Sequence, residues 1–400
     1  MQYIKYILYV LAVISFSNCK TPYTPAPTTT PTNYLVVEGM INLSDSTYIT
    51  LSRTVTLSAK SAVKPELKAT VTIESNTGGS YPLKELGNGV YIAAPLNLSA
   101  ANQYRLRIKT STGNTYASDF VNAMVSPAID SITFKATSTN LNIYASTHDP
   151  KNATRYYRWD FNEAWEFHSF YDSQIISDGL QVSRRTSAQQ IWDCFKGDAS
   201  TNISLGTSIQ LSADVISQAL ITTIASDAEK IGIKYTIGVR QYALTKDAYD
   251  YWTLLKKNTE KLGSVFDSQP SASIGNIHNV NIASEPVIGY ISAGTISVSR
   301  IFITKRQLPN WLTTPAYGLI PTCGLTFLNC CASSGQPPTT DNYVNWLSST
   351  FIQSVPFVPI ATVDPNFSGS LTNNTPITAA DPICVDCTLR GSKTPPAYWK

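Results

Sequence analysis

Residues 103–110 read Gln-Tyr-Arg-Leu-Arg-Ile-Lys-Thr, in which Tyr104, Leu106 and Ile108 alternate with Arg105, Arg107 and Lys109. A period of two with apolar residues on one side marks a strand that buries one face and wets the other. The same chemistry recurs outward from it, at Tyr34–Ile41, Tyr48–Arg53, Ala69–Glu74, Tyr81–Leu86, Gly89–Ala93 and Thr115–Val121. Gly87-Asn88-Gly89 and Gly113-Asn114 stand between strands as hairpin turns. Short strands at this density predict an immunoglobulin-like or transthyretin-like sandwich over 34–125.

A second unit is expected over 126–305, opening with Ile129–Ala136, Asn140–Ser146 and Tyr156–Phe161 and resuming at Lys234–Leu244, Val287–Ser292 and Thr295–Thr304. Ser212–Lys230 reads as helix or as a mix of short elements. Thr245–Leu262 carries clear helix signals: Thr245 as cap, Asp247 in the first turn, lysines at 256, 257 and 261, then Gly263. Ala248, Tyr251, Trp252 and Leu255 form its apolar stripe, which is core spacing rather than a partner groove. The expected fold is mainly β: tandem immunoglobulin-like and fibronectin-like sandwiches, a helical insertion, and a disulfide-braced irregular C-terminal segment over 306–400.

Charged residues are only 14% of the chain, the net charge is +3, and apolar residues make up 43%. Low charge with abundant Thr, Ser, Asn and Tyr suits exported β-proteins. No basic stripe exists, which argues against a nucleic-acid partner.

The first residues explain the export. One lysine, Lys5, precedes an apolar stretch from Tyr6 to Phe16, then Ser17, Asn18 and Cys19. That is the layout of a signal peptide over 1–18, too short to span a bilayer as a helix. A cysteine at its end predicts lipidation of Cys19 and a membrane anchor, against the competing reading of a secretory signal with an incidental cysteine. Each buried methylene adds about 0.8 kcal/mol, so several acyl chains hold firmly. Lys20, rather than aspartate, favours the outer membrane. Residues 19–33 hold the anchor and a Pro/Thr-rich tether that extends about 40 Å or less.

Seven cysteines are present, and removing Cys19 leaves Cys194, Cys323, Cys330, Cys331, Cys384 and Cys387. An even number outside the cytoplasm predicts up to three disulfides among fifteen connectivities. Cys384 and Cys387 are expected to strap the tail onto the Cys323–Cys331 segment. Metal or redox use of the Cys384-x-x-Cys387 pair is disfavoured, because redox pairs open a helix and zinc needs reduced thiolates. No metal or cofactor is expected.

The best candidate polar site lies in Trp159–His168. Glu166 and His168, two apart, share one face of an extended strand, opposite Trp165 and Phe167. Such a face can ligate a metal or supply an acid–base pair; the competing reading is the wet face of a half-buried strand. Trp311, Trp346 and Trp399, in irregular segments, are candidate ligand contacts, with packing on the disulfide cluster as the competing role. No Gly-x-Ser-x-Gly elbow, His-Glu-x-x-His helix, Walker loop or Gly-x-Gly-x-x-Gly occurs.

Several stretches resemble one Bacteroidota lipoprotein family, domain of unknown function 4249. They are Tyr34–Gly39 with Leu51–Thr54; Pro270, Gly275–Ile277, Gly289-Tyr290 and Arg300; and Cys384–Cys387, Arg390-Gly391 and Pro396–Trp399. The resemblance implies an outer-membrane lipoprotein often encoded beside a TonB-dependent receptor, and it implies no catalytic residues. The expectation is a non-enzymatic accessory protein that binds a small nutrient, glycan or peptide, or assembles with such a transporter. A surface hydrolase or glycan-processing enzyme, and a structural or adhesive module, stay open beside it.

Overall fold

The computed structural model describes residues 33–55, 64–177, 182–260, 275–313, 323, 326–328, 358–362 and 377–400. Cys19, the tether up to residue 32, Cys330, Cys331 and Trp346 lie outside the described residues.

The first sandwich is built from β1 (Leu35–Gly39), β2 (Thr47–Arg53), β3 (Thr70–Ser75), β4 (Ser80–Gly87), β5 (Val90–Ala93), β6 (Gln103–Lys109) and β7 (Thr115–Ser118). Antiparallel pairing runs β1-β2-β5-β4 on one side and β3-β6-β7 on the other. In chain lettering this is A-B-E-D against C-F-G, the constant-type immunoglobulin order. The chain also pairs β3 with β4, joining the two sheets at one edge. The alternation in β6 decides its faces: Tyr104, Leu106 and Ile108 are sealed in the core, while outside, Arg105 and Arg107 both grip Glu74, at 2.6 and 2.8 Å. Asn88, between two glycines of positive φ, itself sits at φ 52°, as the hairpin from β4 to β5 requires.

After β8 (Val121–Met124) come β9 (Ile129–Ala136), β10 (Asn140–His148), β11 (Tyr156–His168), β12 (Asp193–Ala199), β13 (Val215–Ala225), β14 (Lys234–Leu244) and β15 (Ile296–Thr304). The sheet β9-β10-β13 faces the sheet β12-β11-β14-β15, a fibronectin-like pair, and Ser204–Thr207 lengthens the second sheet along β11. Leu141, Ile143 and Ala145 from the first sheet meet Trp159, Phe167 and Ile237 from the second in one core. Beside this core, on β14, Gln241 is fully buried and fully bonded. Its amide donates to Pro127 O and Thr147 Oγ1 at 2.9 and 3.0 Å, and it accepts from Trp159 Nε1 at 2.9 Å. A buried amide is tolerated only under such complete pairing.

The helical insertion is α1 (Lys246–Glu260), between β14 and β15, with Ala248 N donating to Thr245 Oγ1 at 3.3 Å. Ala248 and Tyr251 are buried. Within 212–230, where the sequence allows helix or a mix of short elements, the chain forms β13 and a short 3-10 turn at Glu229–Ile231. Its pairing with β10 includes register shifts, which blur the sequence periodicity.

The main departure is the path of 275–294, which the sequence places in the second unit. These residues cross back to the first. Ile277–Asn279 pairs with β7, Ala293–Gly294 pairs with β8 and with Ile41–Asn42, and Ile277, Val287 and Ile291 enter the first core. Val287–Ser292 is therefore not a regular strand; it runs beside β1 as a strap, with Val37 N donating to Ile288 O at 2.8 Å. The tail read as irregular also carries a small antiparallel sheet, Thr326–Leu328, Ile377–Ala380 and Val358–Thr362.

Backbone contact sets the glycines of this strap. Gly289 has φ +135°, and a Cβ on it would lie 2.1 Å from Val37 O. Gly289→Ala should therefore strain the backbone and push β1 from the strap, costing at least about 2 kcal/mol. Chemical denaturation against the parent chain checks this, with an unchanged midpoint counting against the crossing path.

Candidate functional site

The 13-residue strand β11 organises the site because it is paired along both edges. Strand alternation turns Trp165 and Phe167 into the core and leaves Glu166 and His168 half-exposed on the outer face. Register then supplies partners: Asp193 stands opposite His168, Phe195 opposite Glu166 on one side, and Lys234 opposite Glu166 on the other.

The donor atoms of Glu166, His168 and Asp193 all lie within 4.8 Å of one another. His168 Nε2 is 2.5 Å from Asp193 Oδ1, with the side chains 30% and 42% exposed. That carboxylate oxygen is sealed from solvent and has no hydrogen-bond partner among the described residues; a protonated His168 ring makes the contact an ion pair. The imidazole is held flat against Trp192, with ring centroids 3.7 Å apart. Burial, reinforced by the Asp193 charge, pushes the Glu166 carboxyl above its ordinary value, against opposing pulls from His168 and Lys234. Two carboxylates and an imidazole in this space can share a proton or hold a cation.

Glu166 and His168 are thus brought together as their spacing predicts, while Asp193 was not visible in sequence. Only the β11–β12 register delivers it, and Asp-Cys-Phe-Lys-Gly-Asp-Ala is a poor strand by composition. The available signal was Cys194 beside it, the one cysteine far from the tail cluster.

Cys194 is disulfide-bonded to Cys387, and Cys323 to Cys384. The Cys384 bond straps the tail as expected; Cys387 does not join the Cys323–Cys331 segment. Cys384 lies within the helical turn Pro382–Val385 and Cys387 follows the extended Asp386, so Cys384 packs with Ile360 and Val385 while Cys387 enters the second sandwich core. The tail then follows β12. Phe195 and Ser392 exchange backbone bonds of 2.7 and 2.9 Å, and a Cβ on Gly391 would lie 2.5 Å from Phe195 O. Arg390 pairs with Glu229 at 2.8 Å and donates to His168 O at 3.2 Å.

Trp399 ends up on the same outer face as the cluster. Its ring meets Phe195 and Phe302 edge-on, and Lys234 Nζ lies 5.3 Å from it. Its packing partners are therefore sheet aromatics rather than the disulfide cluster. Trp311 packs partly buried against the second core, which includes Cys194 and Cys387. His148 pairs with Asp130 at 2.8 Å, and His278 lies 3.5 Å from Asp119; both are exposed and separate from the site.

Two clefts lie where the sandwiches meet. One, of about 570 Å³, runs between β8 and α1 and includes Asp119, Asp247 and Asp250. The other, of about 310 Å³, is lined by Tyr48, Arg158, Arg240 and Trp252. In it the Arg158 guanidinium lies 4.1 Å from the Tyr242 ring and 4.5 Å from the Trp252 ring. Burial, with the Asp160 charge, pushes the Tyr242 hydroxyl up to about 12, so it stays a neutral donor.

With its pKa raised, Glu166 contributes most to stability below the unfolded carboxyl range, and that contribution is lost as pH rises through the folded value. Glu166→Gln should therefore raise the melting temperature at pH 7 in EDTA, with the gain shrinking towards pH 4. A gain that is constant across this range would contradict a carboxyl raised by burial and by the Asp193 charge.

The family described as "Domain of unknown function (DUF4249)" matches residues 20–300, so the motif-like residues from Cys384 to Trp399 lie beyond the match. No curated protein matches the chain. Among solved structures, a two-domain fibronectin type III segment from chicken tenascin is similar over 52% of this chain and 90% of its own, at 11% identity and TM-score 0.16. Chitinase ChiA74 from Bacillus thuringiensis is similar over 50% of this chain and 29% of its own, at 13% identity and TM-score 0.15. Scores this low bear on neither fold nor activity; the strand order carries the fold.

Proposed function

The chain belongs to the domain of unknown function 4249 family, and from that membership we propose a lipid-anchored outer-membrane accessory protein that binds a nutrient or assembles with a TonB-dependent transporter. The observation that carries the proposal is the pair of disulfides, which close 193 and 61 residues of chain. Bonds of this kind persist in oxidising spaces and are rare in a reducing cytosol. They agree with the signal-like stretch before Cys19. Among the described residues no helix is long and apolar enough to cross a membrane, so in this proposal attachment rests on acyl chains at Cys19.

The residues of the family resemblance support a non-enzymatic role, because their work here is architectural. Arg53 bonds Glu66 at 2.6 Å while nearly buried, the Asn276 side chain exchanges two 2.9 Å bonds with Ile291, and Arg300 stacks on Tyr398. Ligand contact falls to the clefts between the sandwiches, where aromatic rings and charged groups share one wall.

Labelled palmitate should attach to the parent chain and not to Cys19→Ser. Affinity purification of the tagged protein from gently solubilised membranes should recover a receptor barrel. Repeated recovery without one, from a correctly lipidated protein, would overturn the transporter partnership.

A further inference from the structure

We infer that Glu166, His168 and Asp193 form a zinc site on the outer face of the second sandwich, with the imidazole and both carboxylates as ligands. Three observations converge on it. The donor set mixes one nitrogen with carboxylate oxygens, which suits a borderline cation such as Zn²⁺ better than Mg²⁺ or Ca²⁺, which take oxygen alone. The donor atoms already lie within 4.8 Å of one another, and ligands held about 2.1 Å from zinc in a tetrahedron stand about 3.4 Å apart. A small opening of the His168–Asp193 contact, now 2.5 Å, makes room for the ion.

The second observation is independent of spacing. Asp193 Oδ1 is sealed from solvent, has no hydrogen-bond partner among the described residues, and lies 2.5 Å from His168 Nε2. A buried carboxylate oxygen without a donor is costly, and a cation bridging the oxygen and the ring nitrogen removes that cost.

The third concerns nearby cations and support. Lys234 stands opposite Glu166 in the sheet, but its ammonium reaches the Lys400 carbonyl oxygen and lies 5.4 and 5.3 Å from the rings of Phe302 and Trp399. Lys196 lies over Trp165, and Arg390 is taken by Glu229 and the His168 carbonyl. The frame is stiff as well. Trp192 stacks on the His168 ring, Asp193 N donates to Gln190 Oε1 at 3.0 Å, and the neighbouring Cys194 is bonded to the tail. Orienting contacts of this kind fix ligand geometry in metal sites. Three protein ligands leave a coordination position for water or a further ligand. The site stands apart from the proposed transporter partnership, since it needs neither membrane nor receptor.

The test uses the full chain, purified in detergent, stripped with EDTA, and titrated calorimetrically with zinc chloride alone; cobalt is then bound to give a visible spectrum. One equivalent of zinc should bind. His168→Gln and Asp193→Asn should each weaken binding at least tenfold, and His168→Gln should alter the cobalt bands. A cooperative melt in EDTA confirms that each variant is folded, and Glu166→Gln supplies the same reading where Asp193→Asn does not fold. No stoichiometric binding by the parent chain overturns the proposal. So does binding that survives His168→Gln and Asp193→Asn but is lost in the double variant Cys330→Ser/Cys331→Ser, because the ion then sits elsewhere.

Discussion

The bond between Cys194 and Cys387 joins an edge strand of the second sandwich to a tail nearly two hundred residues further on, and much of the outer face depends on it. Loop closure on this scale removes several kcal/mol of freedom from the unfolded chain, about 5 kcal/mol on a chain-entropy account. Its structural effect is more specific. Strand β12 would present a free edge, a hazard for strand-to-strand association, and the tail covers part of it by pairing Ser392 with Phe195. The same bond fixes the residue before it, Asp193, opposite His168. Packing, edge protection and the polar cluster thus share one covalent constraint.

The two sandwiches are also not laid out as beads along the chain. After α1 the chain returns through 275–294 to fill the first core before β15 completes the second. Close backbone approach makes that return possible: a Cβ on Gly275 would lie 1.7 Å from Gly289 O. The nearby Arg53 cluster, with Glu66, Tyr116 and Glu285, ties the returned segment to β2 and β7. Residues that carry the family resemblance, among them Arg53, Gly275 and Gly289, hold this crossing.

How far the fold was legible depends on how local its signals are. Strands β6 and β9 and helix α1 declare themselves because each buries one face through its own periodicity, and β14 does so as a long run of strand-forming residues buried on both faces. Strand β12 does not, since its inner face is held by Cys194 and its outer face by a tail two hundred residues away. The path of 275–294 is invisible for the same reason: its apolar residues fit either core, and only long-range pairing assigns them. At the site, Glu166 and His168 follow from the period of two, whereas Asp193 depends on register between strands 25 residues apart. The cysteines illustrate the limit, because Cys384 in a short helical turn and Cys387 just beyond the extended Asp386 take different partners.

The covalent frame is tested most directly by mass-spectrometric peptide mapping of the unreduced protein. The account predicts one crosslinked peptide pair carrying Cys194 and Cys387 and another carrying Cys323 and Cys384. A Cys384–Cys387 bridge, or free thiols at Cys194 and Cys387, would contradict it, and with it the placement of the tail and of Asp193.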